Sequence, residues 1–220
     1  RYASVWRCEQ WDEVVAEMES LGYAVSMAVL DAADYGVPQH RRRLFVAGVL
    51  AGEPMAFPEP THGPGRERPW VTVADVLDPK AKYGLPCPAR VTYAKNPVTR
   101  PSCYDGMLFN GHGRPIDPSR PSRTIVASAG GNKTHFFDTM DVVPPYHAEL
   151  LAGGKPRKGV VEGCRRLSVE ASAVLQSFPI GWTPFGSFSS AYAQVGDAVP
   201  PKLAEAVGRA MISSLADASS

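Results

Sequence analysis

The sequence has few cysteines and no long apolar segment. Its 220 residues include four cysteines, and no two of them form a Cys-x-x-Cys pair. This spacing argues against a disulfide framework or a zinc ribbon, and nothing else in the sequence suggests a bound metal. No run of 18 apolar residues occurs and the first residues do not resemble a signal peptide, so we expect a cytoplasmic protein. With 44% hydrophobic and 20% charged residues, a collagen, a coiled coil or a fully disordered chain is excluded.

The small net charge of +1 conceals an uneven distribution. Residues 80–165 contain thirteen Lys or Arg and six Asp or Glu, a net charge of +7, whereas the rest of the chain carries −6. A basic middle between acidic flanks is typical of a region that faces a polyanion such as nucleic acid. Chance scatter of charge is the simpler alternative.

Hydrophobic periodicity predicts the edge of an α/β sheet in the N-terminal part of the chain and helices at its C-terminal end. We expect a helix followed by two short strands. Residues 79–164 are expected to be mostly strand and loop, because Pro, Gly and Asn interrupt their short apolar runs, and two further helices should follow. The expected helices are 9–21, 71–77, one from residue 168 to before Pro179, and 201–215; the expected strands are 23–30 and 44–50, with a further short strand at 123–127.

The densest group of functional residue types is the sequence PQHRRR, just before the second predicted strand. In an extended chain alternate residues share a face, so Gln39, Arg41 and Arg43 are expected on one side and His40 and Arg42 on the other. Two guanidinium groups beside an amide can hold a phosphate or the edge of a base. From residue types alone, a basic turn in solvent is the simpler interpretation.

Four ordered segments resemble motifs of the DNA (cytosine-5) methyltransferases. Residues 33–45, ADYGVPQHRRRLF, resemble the family's Gln-x-Arg-x-Arg motif. Residues 166–179, RLSVEASAVLQSFP, and 192–201, YAQVGDAVPP, resemble its last two motifs, although Asp197 stands where the family usually has Asn. Residues 120–125, RPSRTI, resemble the Thr-Ile/Leu element of its target-recognition region. The intervals between these segments also match the family.

The resemblance implies a mechanism and roles for particular residues. In this family a cysteine thiolate attacks C6 of a cytosine flipped out of the duplex, and C5 then receives a methyl group from S-adenosylmethionine. The motif match implies that Arg43 reaches the edge of the flipped cytosine and that Arg41 and Gln39 support the base or the nearby backbone. It also implies that Asp197 and Ala198 lie near the S-adenosylmethionine. The family resemblance further implies a bacterial restriction–modification protein associated with the nucleoid.

The family's cofactor loop, its catalytic Pro-Cys-Gln and its Glu-Asn-Val are absent, and 38 residues before Gln39 cannot hold the lobe that carries them. We therefore expect the C-terminal part or subunit of a DNA (cytosine-5) methyltransferase, incomplete alone. Its expected partners are double-stranded DNA and an N-terminal catalytic lobe, either a separate subunit or the rest of a longer chain. That lobe is expected to bind most of the S-adenosylmethionine. The alternative is a catalytically inert, sequence-specific DNA-binding module.

Two glycine-containing loops are candidates for reading DNA. Residues 130–135, GGNKTH, present four polar side chains in sequence, and residues 110–114, NGHGR, form a second candidate. Asn can read adenine and Lys can read guanine in the major groove, although a solvated β-turn explains the first loop equally well. The expected DNA-binding residues are Arg123, Thr124, Ile125, Asn132, Lys133, Thr134 and His135, of which Arg123 and Lys133 are chosen on charge.

The expected fold is the edge of a Rossmann-like methyltransferase sheet plus an irregular, mostly β target-recognition subdomain. Residues 1–78 are assigned to the last strands and helices of the catalytic domain. Residues 79–165 are assigned to the target-recognition region. Residues 166–220 would contain the late motifs and a closing helix that packs back on the catalytic domain.

Overall fold

A computed structural model describes residues 9–217 and contains five helices and six strands in that range. The helices are α1 (Glu9–Ser20), α2 (Val143–Leu151), α3 (Val169–Leu175), α4 (Phe188–Asp197) and α5 (Pro201–Asp217). The strands are β1 (Tyr23–Asp31), β2 (Arg42–Leu50), β3 (Tyr93–Val98), β4 (Met107–Phe109), β5 (Phe136–Asp138) and β6 (Cys164–Arg166). No helix within residues 9–217 is both long and apolar enough to cross a membrane.

Strands β1 and β2 form an antiparallel pair in continuous register, from Tyr23 opposite Leu50 to Asp31 opposite Arg42. Both strands were predicted from their apolar, β-branched sequences. A short 3-10 turn (Ala32–Tyr35) follows β1; Asp31 caps it, and Gly36 ends it with φ 78°. That left-handed conformation favours glycine, and it directs the chain into the PQHRRR segment.

Helix α5 packs against the same turn. Leu203 is fully buried in a cluster with Ala32, Tyr35 and Val37. The Lys202 ammonium also donates a hydrogen bond to the Gly36 carbonyl at 3.1 Å. The helix predicted over residues 201–215 is thus confirmed, and it packs on the turn that leads into the basic segment.

The middle of the chain consists of short pieces joined by long loops. β3 pairs with β4 and β5 with β6, both antiparallel. Their largest shared cluster is aromatic, because Tyr146 of α2 packs against Tyr93 and Phe109, and Phe109 packs edge-on against Phe136. A rim of loops around a small aromatic core can vary without disturbing that core.

The largest core cluster contains residues from each of the three segments expected from the sequence. Val73, Phe137, Leu175 and Tyr192 all belong to it and are almost fully buried. Cys87 is buried in the same cluster. The assignment of these segments to domains stays a prediction, but their side chains share one interior.

Four expectations about secondary structure were wrong. Residues 71–77 form a single turn rather than a helix, because Pro79 has no N–H to continue it and disfavours a helical residue before it. Residues 123–127 form no strand, since the carbonyls of Thr124 and Ile125 bond to side chains instead of to a neighbouring strand. Helices α2 and α4 were both missed, α2 inside the segment expected to be strand and loop and α4 just before the last helix.

Candidate functional site

Arg41 is the structural centre of the basic segment. Its side chain is fully buried, and its guanidinium donates three hydrogen bonds to backbone carbonyls. Nε bonds to Ala198 at 3.0 Å, Nη1 to Ile125 at 2.9 Å, and Nη2 to Gly196. One side chain therefore joins the Gln-x-Arg-x-Arg segment to the Thr-Ile element and to the last motif, which are 84 to 157 residues away in sequence.

The expected fork of Arg41 and Arg43 around a ligand is not present, because Arg41 is buried against backbone. Burial, together with the positive charge of Arg43, lowers the pKa of Arg41 to about 10, and Asp197 opposes that shift. Arg41 is thus still a cation at neutral pH. Each of its three hydrogen bonds is charge-assisted, and such bonds are stronger than bonds between neutral groups.

The opposite face of the segment also follows the expected alternation. His40 Nδ1 lies 3.2 Å from a carboxylate oxygen of Asp31, and Nε of Arg42 lies 3.7 Å from the same oxygen. The His40 ring also packs edge-on against Trp70, with centroids 4.9 Å apart. His40 and Arg42 therefore share a face, and Asp31 with Trp70 fixes the orientation of the imidazole.

Gln39 and Arg43 occupy different environments. Gln39 is fully buried, and its backbone forms an isolated parallel bridge with Ser122. Within residues 9–217, neither amide atom of its side chain has a hydrogen-bond partner. Arg43 lies in β2 and is half-buried, and its Nη1 donates to the Arg42 carbonyl at 2.8 Å. Of the three residues expected to act on cytosine, Arg43 is thus the one whose side chain reaches the surface.

The last motif contributes mainly backbone. Gln176 is fully buried and donates from Nε2 to the Val195 carbonyl at 2.6 Å, so the two late motifs are tied together. Asp197 ends α4 with an exposed side chain. The carbonyl of Ala198 accepts a hydrogen bond from Arg41 Nε, and the Ala198 N–H donates to the Gln194 carbonyl at 3.2 Å. Of the two residues expected near the cofactor, Asp197 offers a carboxylate and Ala198 only a methyl group.

Gly196 provides a test of how closely the last motif packs. A Cβ at this position would lie 2.3 Å from Cα of Ala127 and 2.5 Å from the Val126 carbonyl carbon, all of it backbone. We expect Gly196→Ala to lower the free energy of unfolding by about 1–3 kcal/mol, as overpacking does. Gly208→Ala in α5 is the control, since nothing lies within 4 Å of its Cβ.

Gly208→Ala should raise stability by about 1 kcal/mol because alanine favours a helix interior over glycine. Urea unfolding of both variants measures the difference. Equal effects of the two substitutions would contradict the close approach of the last motif to residues 126–127.

The two candidate recognition loops form one continuous surface. The N–H of Gly113 donates to the Asn132 carbonyl at 2.9 Å, and Asn110 Nδ2 bonds to Asn132 Oδ1 at 3.2 Å. Arg166, fully buried beneath them, donates to the Thr134 carbonyl at 2.6 Å and to Asn110 Oδ1 at 2.9 Å. We call residues 110–114 and 130–135 together the loop face.

The expected DNA-reading side chains divide into exposed and buried ones. Asn132 and Lys133 are exposed on the loop face. Thr134 is buried, and its hydroxyl accepts from the Gly130 N–H at 2.8 Å. Ile125 is buried in the main core. The expectation that GGNKTH presents four polar side chains was therefore wrong, because Thr134 and His135 turn inward to hold the loop.

His135 acts as a neutral structural group. Its Nδ1 accepts from the Arg114 N–H at 3.0 Å, and Nε2 faces the Thr124 carbonyl at 3.4 Å. Burial lowers its pKa to about 4, with Arg123 and Arg114 acting in the same direction. At neutral pH the proton therefore sits on Nε2, which leaves Nδ1 free to accept.

Arg123 and Thr124 lie between the basic segment and the loop face. Arg123 is exposed and pairs with Asp105, while the Thr124 hydroxyl donates to the His40 carbonyl at 2.7 Å. An open cleft of about 410 Å³ separates the two surfaces, and its lining is His40, His112, Arg114, Arg123, Thr124 and His135. Within residues 9–217, no group of three or more His, Cys, Asp or Glu side chains is arranged to hold a metal ion.

Two functional features were missed at the level of sequence. The support that Arg166 gives to both loops has no local signal, since its partners are 32 and 56 residues away. The pairing of residues 110–114 with 130–135 could have been suspected from their glycines. A Cβ at Gly113 would lie 2.0 Å from the Thr134 carbonyl oxygen, and one at Gly111 would lie 2.3 Å from that of Asn132.

Comparison with known proteins agrees with this geometry. The family model described as C-5 cytosine-specific DNA methylase matches residues 6–213. The chain belongs to this family. It is 32% identical over 213 residues to Type II methyltransferase M1.HphI of Haemophilus parahaemolyticus, covering 91% of this chain and 51% of that protein. It is 29% identical over 239 residues to M.SacI of Streptomyces achromogenes, covering 94% and 56%.

Solved structures show the same fold. This chain matches the S. pombe Dnmt2 methyltransferase with a TM-score of 0.62 at 12% identity, over 95% of this chain and 63% of that one. An Entamoeba histolytica methyltransferase, EhMeth, gives a TM-score of 0.54 at 13% identity, over 94% and 57%. The expected fold class is thereby confirmed. The chain spans about half the length of the curated relatives it matches.

Proposed function

We propose that this chain is the DNA-recognition half of a DNA (cytosine-5) methyltransferase and acts with a lobe that carries the cofactor and nucleophile motifs. The observation that carries the proposal is the buried Arg41, which joins the basic segment, the Thr-Ile element and the last motif into one rigid unit. Such a unit can position a base-contacting group relative to a DNA-reading surface. The lobe is either a separate subunit or another part of a longer chain.

Two surfaces would act on double-stranded DNA. The loop face would enter the major groove, where Asn132 and Lys133 offer an adenine-reading amide and a guanine-reading ammonium. Arg43 would donate hydrogen bonds to the edge of the flipped cytosine. Because Arg41 anchors the segment before β2 to three backbone carbonyls, Arg43 would keep a fixed position while the base enters.

The fit of S-adenosylmethionine to this half is limited to one edge. The exposed carboxylate of Asp197 can face a cationic cofactor, whereas both backbone polar groups of Ala198 are already hydrogen-bonded. When bound, the cofactor supplies the methyl group. Most of its site would therefore belong to the other lobe, and Asp197 would contribute charge complementarity at the rim.

The hairpin and α5 leave apolar side chains exposed where a further lobe could pack. Leu50 and Leu21 lie at one end of the hairpin, and Ile212 and Leu215 lie on α5, each more than half exposed. Isolated exposed hydrophobic residues are ordinary, but several on one two-stranded sheet and its helix favour a protein interface. We propose that the catalytic lobe covers this surface and extends the sheet.

The test is transfer of labelled methyl from S-adenosylmethionine to mixed-sequence duplex DNA. The assay compares this chain alone, the lobe with the cofactor and nucleophile motifs alone, and both together, mixed or fused. We expect methyl transfer only when both are present. Methyl transfer by this chain alone would overturn the proposal, and intact DNA binding without transfer in any arm would favour the inert recognition module.

A further inference from the structure

The cleft between the basic segment and the loop face has an unbalanced positive charge. Arg114 and Arg123 both line it, and Arg123 is paired with Asp105. Within residues 9–217, no ion pair joins Arg114 to a carboxylate, and its Nη1 donates instead to the carbonyl of His112 at 2.9 Å. A guanidinium held in a concave surface without a counter-ion attracts an anion.

The position of Arg114 is fixed from several directions. Its N–H donates to Nδ1 of His135 at 3.0 Å, and the preceding Gly113 is bonded to the Asn132 carbonyl. Burial, together with the nearby charge of Arg123, lowers the pKa of Arg114. A lowered pKa in a group that must stay charged means that its surroundings do not compensate the charge.

We propose that Arg114 binds a single backbone phosphate of duplex DNA in this cleft, with the imidazole of His40 on the opposite wall. The phosphate would sit between the segment that contains Arg43 and the loop face that reads bases, so it would set the register of one against the other. This inference rests on the proposed function. It assigns to Arg114 a positioning contact without base preference, in contrast to Asn132 and Lys133.

His40 suits the opposite wall because its ring cannot turn freely. Asp31 accepts a hydrogen bond from Nδ1 and Trp70 packs edge-on against the ring, so the orientation of the imidazole is fixed. The Thr124 hydroxyl donates to the His40 carbonyl and fixes the backbone there as well. The two walls of the cleft are thus connected by Thr124, which leaves little freedom in the width of the cleft.

Fluorescence anisotropy with a duplex containing the recognition sequence, or with mixed-sequence duplexes, would test the contact in the protein that includes the catalytic lobe. Binding is measured from 50 to 200 mM salt for wild type, Arg114→Gln, Arg114→Lys and Arg209→Gln. Loss of one phosphate contact makes the negative slope of log K against log salt shallower by about 0.9 and weakens binding about tenfold at 0.1 M salt. We expect this for Arg114→Gln on every sequence.

Arg114→Lys should keep most of the slope because its charge remains. Arg209→Gln is the control. It removes the same charge from an exposed ion pair with Glu205 on α5, far from the loop face in sequence. We expect Arg209→Gln to bind as wild type does. Thermal unfolding of all four proteins shows whether any loss of binding comes from unfolding instead.

Duplexes with one uncharged methylphosphonate at successive positions locate the contact. At one position, the methylphosphonate should weaken DNA binding by wild type about tenfold. The same substitution should not weaken binding by Arg114→Gln, which already lacks this contact. Steep salt dependence with no difference between Arg114→Gln and wild type would overturn this inference and leave the proposed function standing. The inference would also be overturned if Arg114→Gln bound only one base sequence more weakly and kept the salt dependence of wild type. Absence of salt-dependent DNA binding by wild type would overturn both this inference and the proposed function.

Discussion

Arg41→Met is expected to lower the free energy of unfolding by about 3–5 kcal/mol. Methionine fills a similar volume but leaves the carbonyls of Ile125, Gly196 and Ala198 without their donor. Each buried carbonyl that loses its partner costs about 1–3 kcal/mol. Urea unfolding, monitored by tryptophan fluorescence and circular dichroism, measures the change.

Arg42→Met is the matched control because it removes a guanidinium from the adjacent residue. The Arg42 side chain is 61% exposed, and its closest carboxylate, Asp31, is 3.7 Å away. Such a surface pair contributes at most about 1 kcal/mol. Similar unfolding free energies for the two variants would show that Arg41 does not hold the three segments together.

Arg41→Lys separates charge from geometry. A lysine ammonium is a point donor at the end of a flexible chain, whereas the guanidinium directs its N–H groups along fixed and diverging directions. Its contacts with Ile125 and with Ala198 come from different nitrogens, so one ammonium cannot replace both at good geometry. We expect Arg41→Lys to recover less than half of the stability lost by Arg41→Met.

The role of Arg41 could not be deduced from local sequence. An arginine in a polar segment before a strand is ordinarily exposed, and both interpretations of PQHRRR, a solvated turn and a ligand-binding fork, placed Arg41 at the surface. Its burial depends on carbonyls 84 and 157 residues away. The alternation of faces was predictable, because it follows from extended backbone geometry alone.

The fold was likewise predictable where its signal is local and not where it depends on contacts distant in sequence. The β1–β2 pair, α1, α3 and α5 were predicted because each has a clear apolar pattern or a recognisable stop. Helix α2 was missed because VPPYHAELL begins with two prolines after a valine, which suggests a loop, although proline is well suited to the first turn of a helix. The loop face depends on Arg166, whose contacts are entirely long-range.

Arg43→Ala is expected to lower methyl transfer by about 100-fold or more in the protein that includes the catalytic lobe, while the fold stays intact. Removing one positioned donor from a reacting group typically has an effect of about 10²–10³ on kcat. Steady-state transfer of labelled methyl with varied DNA gives kcat and KM separately. The effect should fall mainly on kcat if Arg43 contacts the cytosine as it reacts.

The same variant should not lose stability. The positive charge of Arg43 lowers the pKa of the buried Arg41, so its removal relieves a repulsion between like charges. We expect the free energy of unfolding of Arg43→Ala to equal that of wild type within about 0.5 kcal/mol or to exceed it. Arg42→Ala, which removes a guanidinium from the opposite face, should leave kcat unchanged.

A fall in kcat that follows a fall in stability would contradict this role and assign Arg43 to the fold. Unchanged kcat with weaker, less salt-dependent DNA binding would make Arg43 a phosphate contact instead. Arg41 and Arg43 are thus expected to give opposite results from neighbouring positions. Arg41 is satisfied by protein carbonyls and its loss should lower stability, whereas Arg43 is expected to act on the cytosine and its loss should lower kcat.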